Sequence, residues 1–153
     1  MTWSSNGRTL ASGSDDNTVK LWSVSDPGAI TSFSHKESAV KAMAWSPHQP
    51  EILATGGGRA DPYIRFWDTN THTETKALYA DCQITNLAYS KSVNQVVTTH
   101  GYTANDIKVW DCNSKAKDNL IGGLYGHSHR IVYMAMSPDG TKIVTGSGDE
   151  EML

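Results

Sequence analysis

Three kinds of side chain in this sequence could carry chemistry. Imidazoles stand at His35 and His127, carboxylates at Asp16 and Asp61, and hydroxyls at Ser12 and Thr55. A hydroxyl, an imidazole and a carboxylate are the parts of a nucleophile, a base and the group that orients the base. Their spacing argues against that use. Asp16 and Asp61 each lie six residues before a tryptophan, Trp22 and Trp67, and Ser12 and Thr55 lie ten and twelve before the same tryptophans. A catalytic triad occurs once in a chain, whereas this set returns with successive tryptophans. A buried indole or imidazole needs hydrogen-bond partners, so the expected role of these residues, and of Trp110 and Asp149, is structural. Around Trp110 the set looks incomplete, because Ala104 stands where the aspartate should be. His127 and His129 alternate on an extended segment with no further His or Cys nearby, so no metal is expected there. The run Gly56-Gly57-Gly58 lacks the Lys-Ser/Thr of a phosphate loop. The residues point to no catalysis, no metal and no cofactor.

The elements that must position these residues repeat as well. Val19-Lys20-Leu21-Trp22, Ile64-Arg65-Phe66-Trp67 and Ile107-Lys108-Val109-Trp110 place tryptophans 45 and 43 residues apart. Apolar and charged residues alternate in each, which predicts strands with Lys20, Arg65 and Lys108 on a solvated face. A period of about 40–45 residues ending in a Trp-Asp-like pair marks a four-stranded propeller blade. The chain divides into blades at 1–34, 35–79, 80–125 and 126–153, the last one truncated. With strands labelled a to d from the axis outward, blade one has strands at 1–3, 10–12, 18–24 and 30–33. Blade two has 40–45, 52–55, 63–68 and 75–78. Blade three has 84–89, 95–98, 107–111 and 120–124. Blade four has 131–136 and 142–145. Asn6-Gly7 and Pro138-Asp139-Gly140 supply turns.

With 153 residues the chain has the length of about one domain, and 38% hydrophobic residues and 13 glycines are ordinary for a globular protein. A net charge of −3 gives no reason to expect nucleic acid or an anionic membrane as partner. Cys82 and Cys112 do not form a disulfide framework. Propellers have four to eight blades. Three and a half blades would leave two raw edges, so the expectation is an all-β partial propeller belonging to a larger protein.

The Asp, His, Ser/Thr and Trp pattern resembles the WD-repeat family, in which such residues form a hydrogen-bonded chain across the blade. Three stretches narrow the resemblance: residues 39–47 (AVKAMAWSP), residues 53–58 (LATGGG) with Asp61 and Ile64-Arg65-Phe66-Trp67, and His100-Gly101-Tyr102 with Ile107-Lys108-Val109-Trp110. Their order and spacing are similar to the fizzy and fizzy-related family, activators of the anaphase-promoting complex ubiquitin ligase. The similarity covers nearly the whole chain, as the last blades of a seven-bladed propeller. The resemblance implies a non-catalytic activator and substrate-recognition subunit of the nucleus and cytoplasm. Its partners would be subunits of the anaphase-promoting complex, and substrates and inhibitors carrying short degradation motifs. The family's ligase-binding tail motifs lie outside the propeller.

In an antiparallel four-stranded blade the b–c and d–a loops emerge at the same end. Residues 14–17, 59–61, 81–83, 127–130 and 148–150 therefore converge on one rim. By resemblance the pocket for a Lys-Glu-Asn motif would use Asn17, Gln83 and Arg130. Asp15 would join them at a position that often carries Asn, and Arg59 at one that carries a small hydroxyl residue. Glu150 would face the arginine of a destruction box. Arg130 can fork onto a carboxylate, and the amides can pair with an asparagine. The alternative is a WD-repeat scaffold of another complex, using the same rim for other partners.

Overall fold

The structure, a computed structural model, describes residues 1–26, 28–35, 37–113 and 119–148. Blade one is a sheet of β1 (Thr2–Trp3), β2 (Thr9–Gly13), β3 (Thr18–Ser23) and β4 (Ala29–Ser34), in that order. Blade two repeats it with β5 (Val40–Trp45), β6 (Ile52–Gly57), β7 (Tyr63–Asp68) and β8 (Thr73–Tyr79). Blade three has β9 (Ile84–Tyr89), β10 (Gln95–His100), β11 (Ile107–Asp111) and β12 (Leu120–Leu124). Blade four is described as the hairpin β13 (Ile131–Met136) and β14 (Ile143–Ser147). Every pairing is antiparallel between neighbours in sequence.

The apolar core lies between blades. Val19, Leu21 and Phe33 of blade one meet Val40, Leu53 and Trp67 of blade two, with the Phe33 and Trp67 rings stacked at 4.9 Å. Ile64, Phe66 and Leu78 on the other face of blade two meet Ile84, Leu87 and Val96 of blade three. Val97 and Ile107 of blade three meet Ile131, Met134 and Ile143 of blade four. A strand with neighbours on both faces is buried on both. This corrects one expectation from the alternating pattern. Lys20 is exposed, but Arg65, at the same place in the next repeat, is 7% exposed. Tyr133 and Val144 lie open to solvent on blade four.

Inside blade two the expected chain is closed. Trp67 Nε1 donates to Thr55 Oγ1 at 2.8 Å, Thr55 Oγ1 lies 2.8 Å from His35 Nε2, and His35 Nδ1 lies 3.2 Å from Asp61 Oδ2. With Nδ1–H donating to the carboxylate, Nε2 is left to accept the Thr55 hydroxyl proton. Arg65 adds two bonds to Asp61, from Nη2 to Oδ1 at 2.7 Å and from Nε to Oδ2 at 3.2 Å, and one from Nη1 to Glu74 at 2.7 Å. Burial pushes the Asp61 carboxyl up, but Arg65 and His35 outweigh it and hold it below the usual range. Burial lowers His35, whose neighbouring carboxylate is already taken by Arg65.

The other blades vary this plan. Blade one keeps the Trp22 to Ser12 bond at 2.8 Å. Asp16 does not reach into the blade. It is exposed and holds its own turn by accepting from the Thr18 N–H at 3.0 Å and the Thr18 hydroxyl at 2.6 Å. In blade four, His127 Nε2 lies 2.9 Å from Thr145 Oγ1. Blade three is not incomplete as the sequence suggests. Trp110 donates to Thr98 Oγ1 at 2.8 Å, and that oxygen meets His100 Nε2 at 2.8 Å. His100 lies on β10 opposite Ile84, the place that Gly57 holds on β6 opposite Val40. The imidazole thus enters from strand b, and Ala80 fills the space before strand a.

Gly57 is fixed by this arrangement. A Cβ there would stand 2.0 Å from the Asp61 carbonyl oxygen and 3.3 Å from His35 Nδ1. Gly57→Ala should therefore destabilise by at least ~3 kcal/mol, the top of the overpacking range. Gly146→Ala, with its nearest neighbour 3.8 Å away, should be close to neutral in the same denaturant titration. Asp61→Asn removes the charge opposite a buried guanidinium and should cost ~3–5 kcal/mol, far more than Asp16→Asn on its exposed turn. Acid should act on the same cluster. A group whose pKa is depressed on folding stabilises fully above its unfolded value and loses that contribution as pH falls towards the folded one. Thermal stability should therefore decline once pH drops below the ordinary 6.5 of His35, and again below the 3.8 of Asp61. The first decline should be smaller in His35→Gln, with the remainder coming from the buried His100, which burial lowers to about 4.

Candidate binding rim

The groups that could have formed a hydrolytic triad are consumed inside the blades. Thr55 and His35 are fully buried and Asp61 is 5% exposed. Each of their polar atoms is engaged by the indole, the imidazole or Arg65, although Asp61 borders a cavity of about 420 Å³ together with Glu37, Ala60, Tyr63 and Arg65. What remains available is the end of the blades where the b–c and d–a loops emerge.

Contacts join these loops pairwise across blade boundaries. Asp15, between β2 and β3, accepts from Lys41 Nζ of β5 at 2.7 Å, an exposed ion pair. The Ser14 carbonyl accepts from Val40 N–H at 3.1 Å. Asn17 has a left-handed backbone at φ 69°, a conformation asparagine tolerates well, and its carbonyl accepts from His35 N–H at 2.9 Å. Arg59 is exposed beyond Gly58, which leaves no room for a Cβ beside the Ser38 hydroxyl.

On the blade three side, Gln83 and Arg130 flank one glycine. Gly101 N–H donates to the Gln83 carbonyl at 3.3 Å, and a Cβ on Gly101 would touch Arg130 Cβ at 3.1 Å. The exposed Arg130 guanidinium lies 6.0 Å from the centroid of the Tyr102 ring. No carboxylate among the described residues is within ion-pair distance of it. A cavity of about 350 Å³ opens there, lined by Tyr102, Asn105, Ser128, His129, Arg130 and Gly148. Asn105 donates to the Ser128 carbonyl at 3.0 Å, and its own amide oxygen has no hydrogen-bond partner.

Of the rim residues expected from sequence, Gln83 and Arg130 come together around Gly101, and Asp15 pairs with Lys41. Asn17 and Arg59 are on the same rim but do not line this cavity. Asp149 and Glu150 lie outside the described residues. Lys41, Tyr102 and Asn105 were not singled out by sequence reasoning. Lys41 reads as an ordinary solvated strand residue. Tyr102 and Asn105 sit in the b–c loop of blade three with left-handed φ values of 64° and 48°, which asparagine signals and tyrosine does not.

Comparison with known proteins matches this architecture. The WD domain, G-beta repeat, matches residues 1–23, 28–68 and 118–151. It passes over most of blade three, where the imidazole has changed strands. Protein FIZZY-RELATED 1 of Arabidopsis thaliana is 47% identical over 98% of this chain and 31% of its own length. APC/C activator protein CDH1 of Saccharomyces cerevisiae is 41% identical over 98% of this chain and 26% of its own length. A chain in the crystal structure of the mitotic checkpoint complex superposes with a TM-score of 0.89 at 34% identity, over 98% of this chain and 46% of that one. The chain spans about a third or less of the length of these curated relatives. With three successive four-stranded sheets of the same plan, tryptophans anchored alike in each, and the repeat matched over most of its length, the chain belongs to the WD-repeat family, and it shares nearly its whole length with fizzy-related proteins.

Proposed function

We propose that this chain is the degradation-motif-binding part of an activator of the anaphase-promoting complex, and that its rim holds Lys-Glu-Asn motifs. One relative is named an APC/C activator and the matching solved chain belongs to the mitotic checkpoint complex, which supports a regulatory role. The observation that carries the reading is Arg130. It is an exposed cation without an acidic partner among the described residues, beside a cavity bordered by the Tyr102 ring and Asn105. A glutamate carboxylate can take the guanidinium fork. The apolar stem of a lysine packs on Tyr102. Gln83, Asn17, Asp15 and Arg59 extend the same rim. Glu150 would serve a destruction-box arginine. Substrates, inhibitors and ligase subunits would be the partners of the whole protein.

Direct binding of labelled peptides tests this. Arg130→Ala should weaken a Lys-Glu-Asn peptide by about 1–3 kcal/mol, roughly five- to 150-fold, since one charge-assisted bond is lost. A destruction-box peptide should be affected less. Glu150→Gln should show the reverse selectivity. Equal affinity of the wild type and Arg130→Ala for the Lys-Glu-Asn peptide removes Arg130 from the site. No binding of either peptide by the wild type favours a scaffold that uses the rim for other partners.

A further inference from the structure

We propose that Cys82, His100 and Asp106 form a binding site for one zinc ion inside the third blade. Their candidate ligand atoms lie within 4.8 Å of one another, and all three residues are buried. His100 is fully buried, Asp106 is 3% exposed, and Cys82 is a free thiol at 7%. His100 Nδ1 and Asp106 Oδ1 make no well-formed hydrogen bond, although the Cys82 and Gln83 backbone lies beside the ring and Lys108 beside the carboxylate. Buried polar atoms are seldom left that way, because each costs its desolvation.

Blade two shows how the family plan closes without an ion. There His35 Nδ1 meets Asp61 directly, and Arg65 takes both carboxylate oxygens. In blade three the imidazole enters from β10. The acid sits four residues before Trp110 instead of six, and a lysine replaces the arginine. Lys108 reaches the Ala80 carbonyl at 2.9 Å and stands 3.8 Å from Asp106 Oδ2. That leaves Oδ1 and Nδ1 unmatched beside a thiol, where one ion satisfies all three.

The donor set fits zinc, which takes thiolate, imidazole and carboxylate together. With Zn–S about 2.3 Å and Zn–N about 2.0–2.1 Å, ligand atoms stand roughly 3–4 Å apart, so the site closes with side-chain shifts on the order of 1 Å. Thiolate and carboxylate balance the charge of the ion. The second nitrogen of the ring already has a partner. With Nδ1 on the ion, Nε2–H would donate to Thr98 Oγ1 at 2.8 Å, which also accepts from Trp110 and can give its own proton to the Lys108 carbonyl at 3.5 Å. Zinc takes cysteine as the thiolate, so binding must release the Cys82 thiol proton. Cys82 precedes Gln83 and His100 precedes Gly101, so the ion would brace the backbone on which Arg130 rests.

The test is cobalt titration of the full chain purified under reducing conditions, followed by displacement with zinc. One equivalent of Co²⁺ should give a thiolate-to-cobalt charge-transfer band, tetrahedral d–d absorption and proton release. Cys82→Ser should lose the charge-transfer band, Cys112→Ser should keep it, and Asp106→Asn should keep it with weaker binding. X-ray absorption on the unmutated zinc-loaded chain reads the same site without a substitution and should show one sulfur among nitrogen and oxygen ligands. No thiolate band at saturating Co²⁺, a band that survives Cys82→Ser, or a zinc shell without sulfur overturns the proposal. A buried water satisfying the same atoms gives the first of these outcomes. Peptide binding is a separate measurement, so failure here leaves the reading of the rim standing.

Discussion

The hydrogen bond from a strand-c indole to a strand-b hydroxyl is the contact on which the rest depends. It recurs at 2.8 Å from Trp22 to Ser12, from Trp67 to Thr55 and from Trp110 to Thr98. Each tryptophan sits at the same register, opposite Leu10, Leu53 or Val96. An indole placed between sheets brings much apolar area and one N–H that must be satisfied. Only a short hydroxyl side chain on the neighbouring strand reaches it. A one-residue slip would turn every side chain of the strand to the other face and break the bond. The pair therefore fixes register as well as burial.

The imidazole is built onto that hydroxyl and can come from either side. In blade two it arrives from the loop before strand a and needs Gly57 to make room. In blade three it arrives from strand b, with the buried Ala80 standing before strand a. The hydroxyl keeps its place because the indole demands it, while the ring is free to change its point of attachment. Its outer nitrogen then meets different company: a carboxylate clamped by arginine in one blade, and a thiol with an unpaired carboxylate oxygen in the other.

Between these internal chains the blades adhere by apolar faces and are stitched at both ends. At the a–b turns, Trp45 donates to the Thr2 carbonyl at 3.3 Å, His48 Nε2 reaches the Ser90 and Val93 carbonyls at 3.0 and 2.9 Å, and Lys91 donates to the Pro138 carbonyl at 2.7 Å. At the opposite end, Asp15 with Lys41 and Asn105 with the Ser128 carbonyl do the same. The rim is therefore a set of short loops pinned from two sides. Such a rim presents polar groups at fixed positions and loses little entropy when it binds an extended peptide.

The sequence by itself determined the strands and their repetition in successive antiparallel sheets. Strand alternation and the tryptophan period are local signals, and a meander of antiparallel strands converts them into topology with few alternatives. The structural use of His35, Thr55, Asp61 and Trp67 was legible for the same reason, because their offsets repeat. Tertiary structure decided what depends on neighbours distant in the chain. Arg65 reads like Lys20, yet it is buried because its blade has a partner on both faces. Asp16 reads like Asp61, yet it closes only its own turn. Ala104 suggests a blade without its chain, whereas His100 restores it from another strand, since side-chain direction and free volume, not spacing, decide which residue can reach Thr98. Lys41 and Tyr102 joined the rim for that reason too: their partners, Asp15 and Arg130, come from neighbouring blades, and nothing in the local sequence announces such a contact.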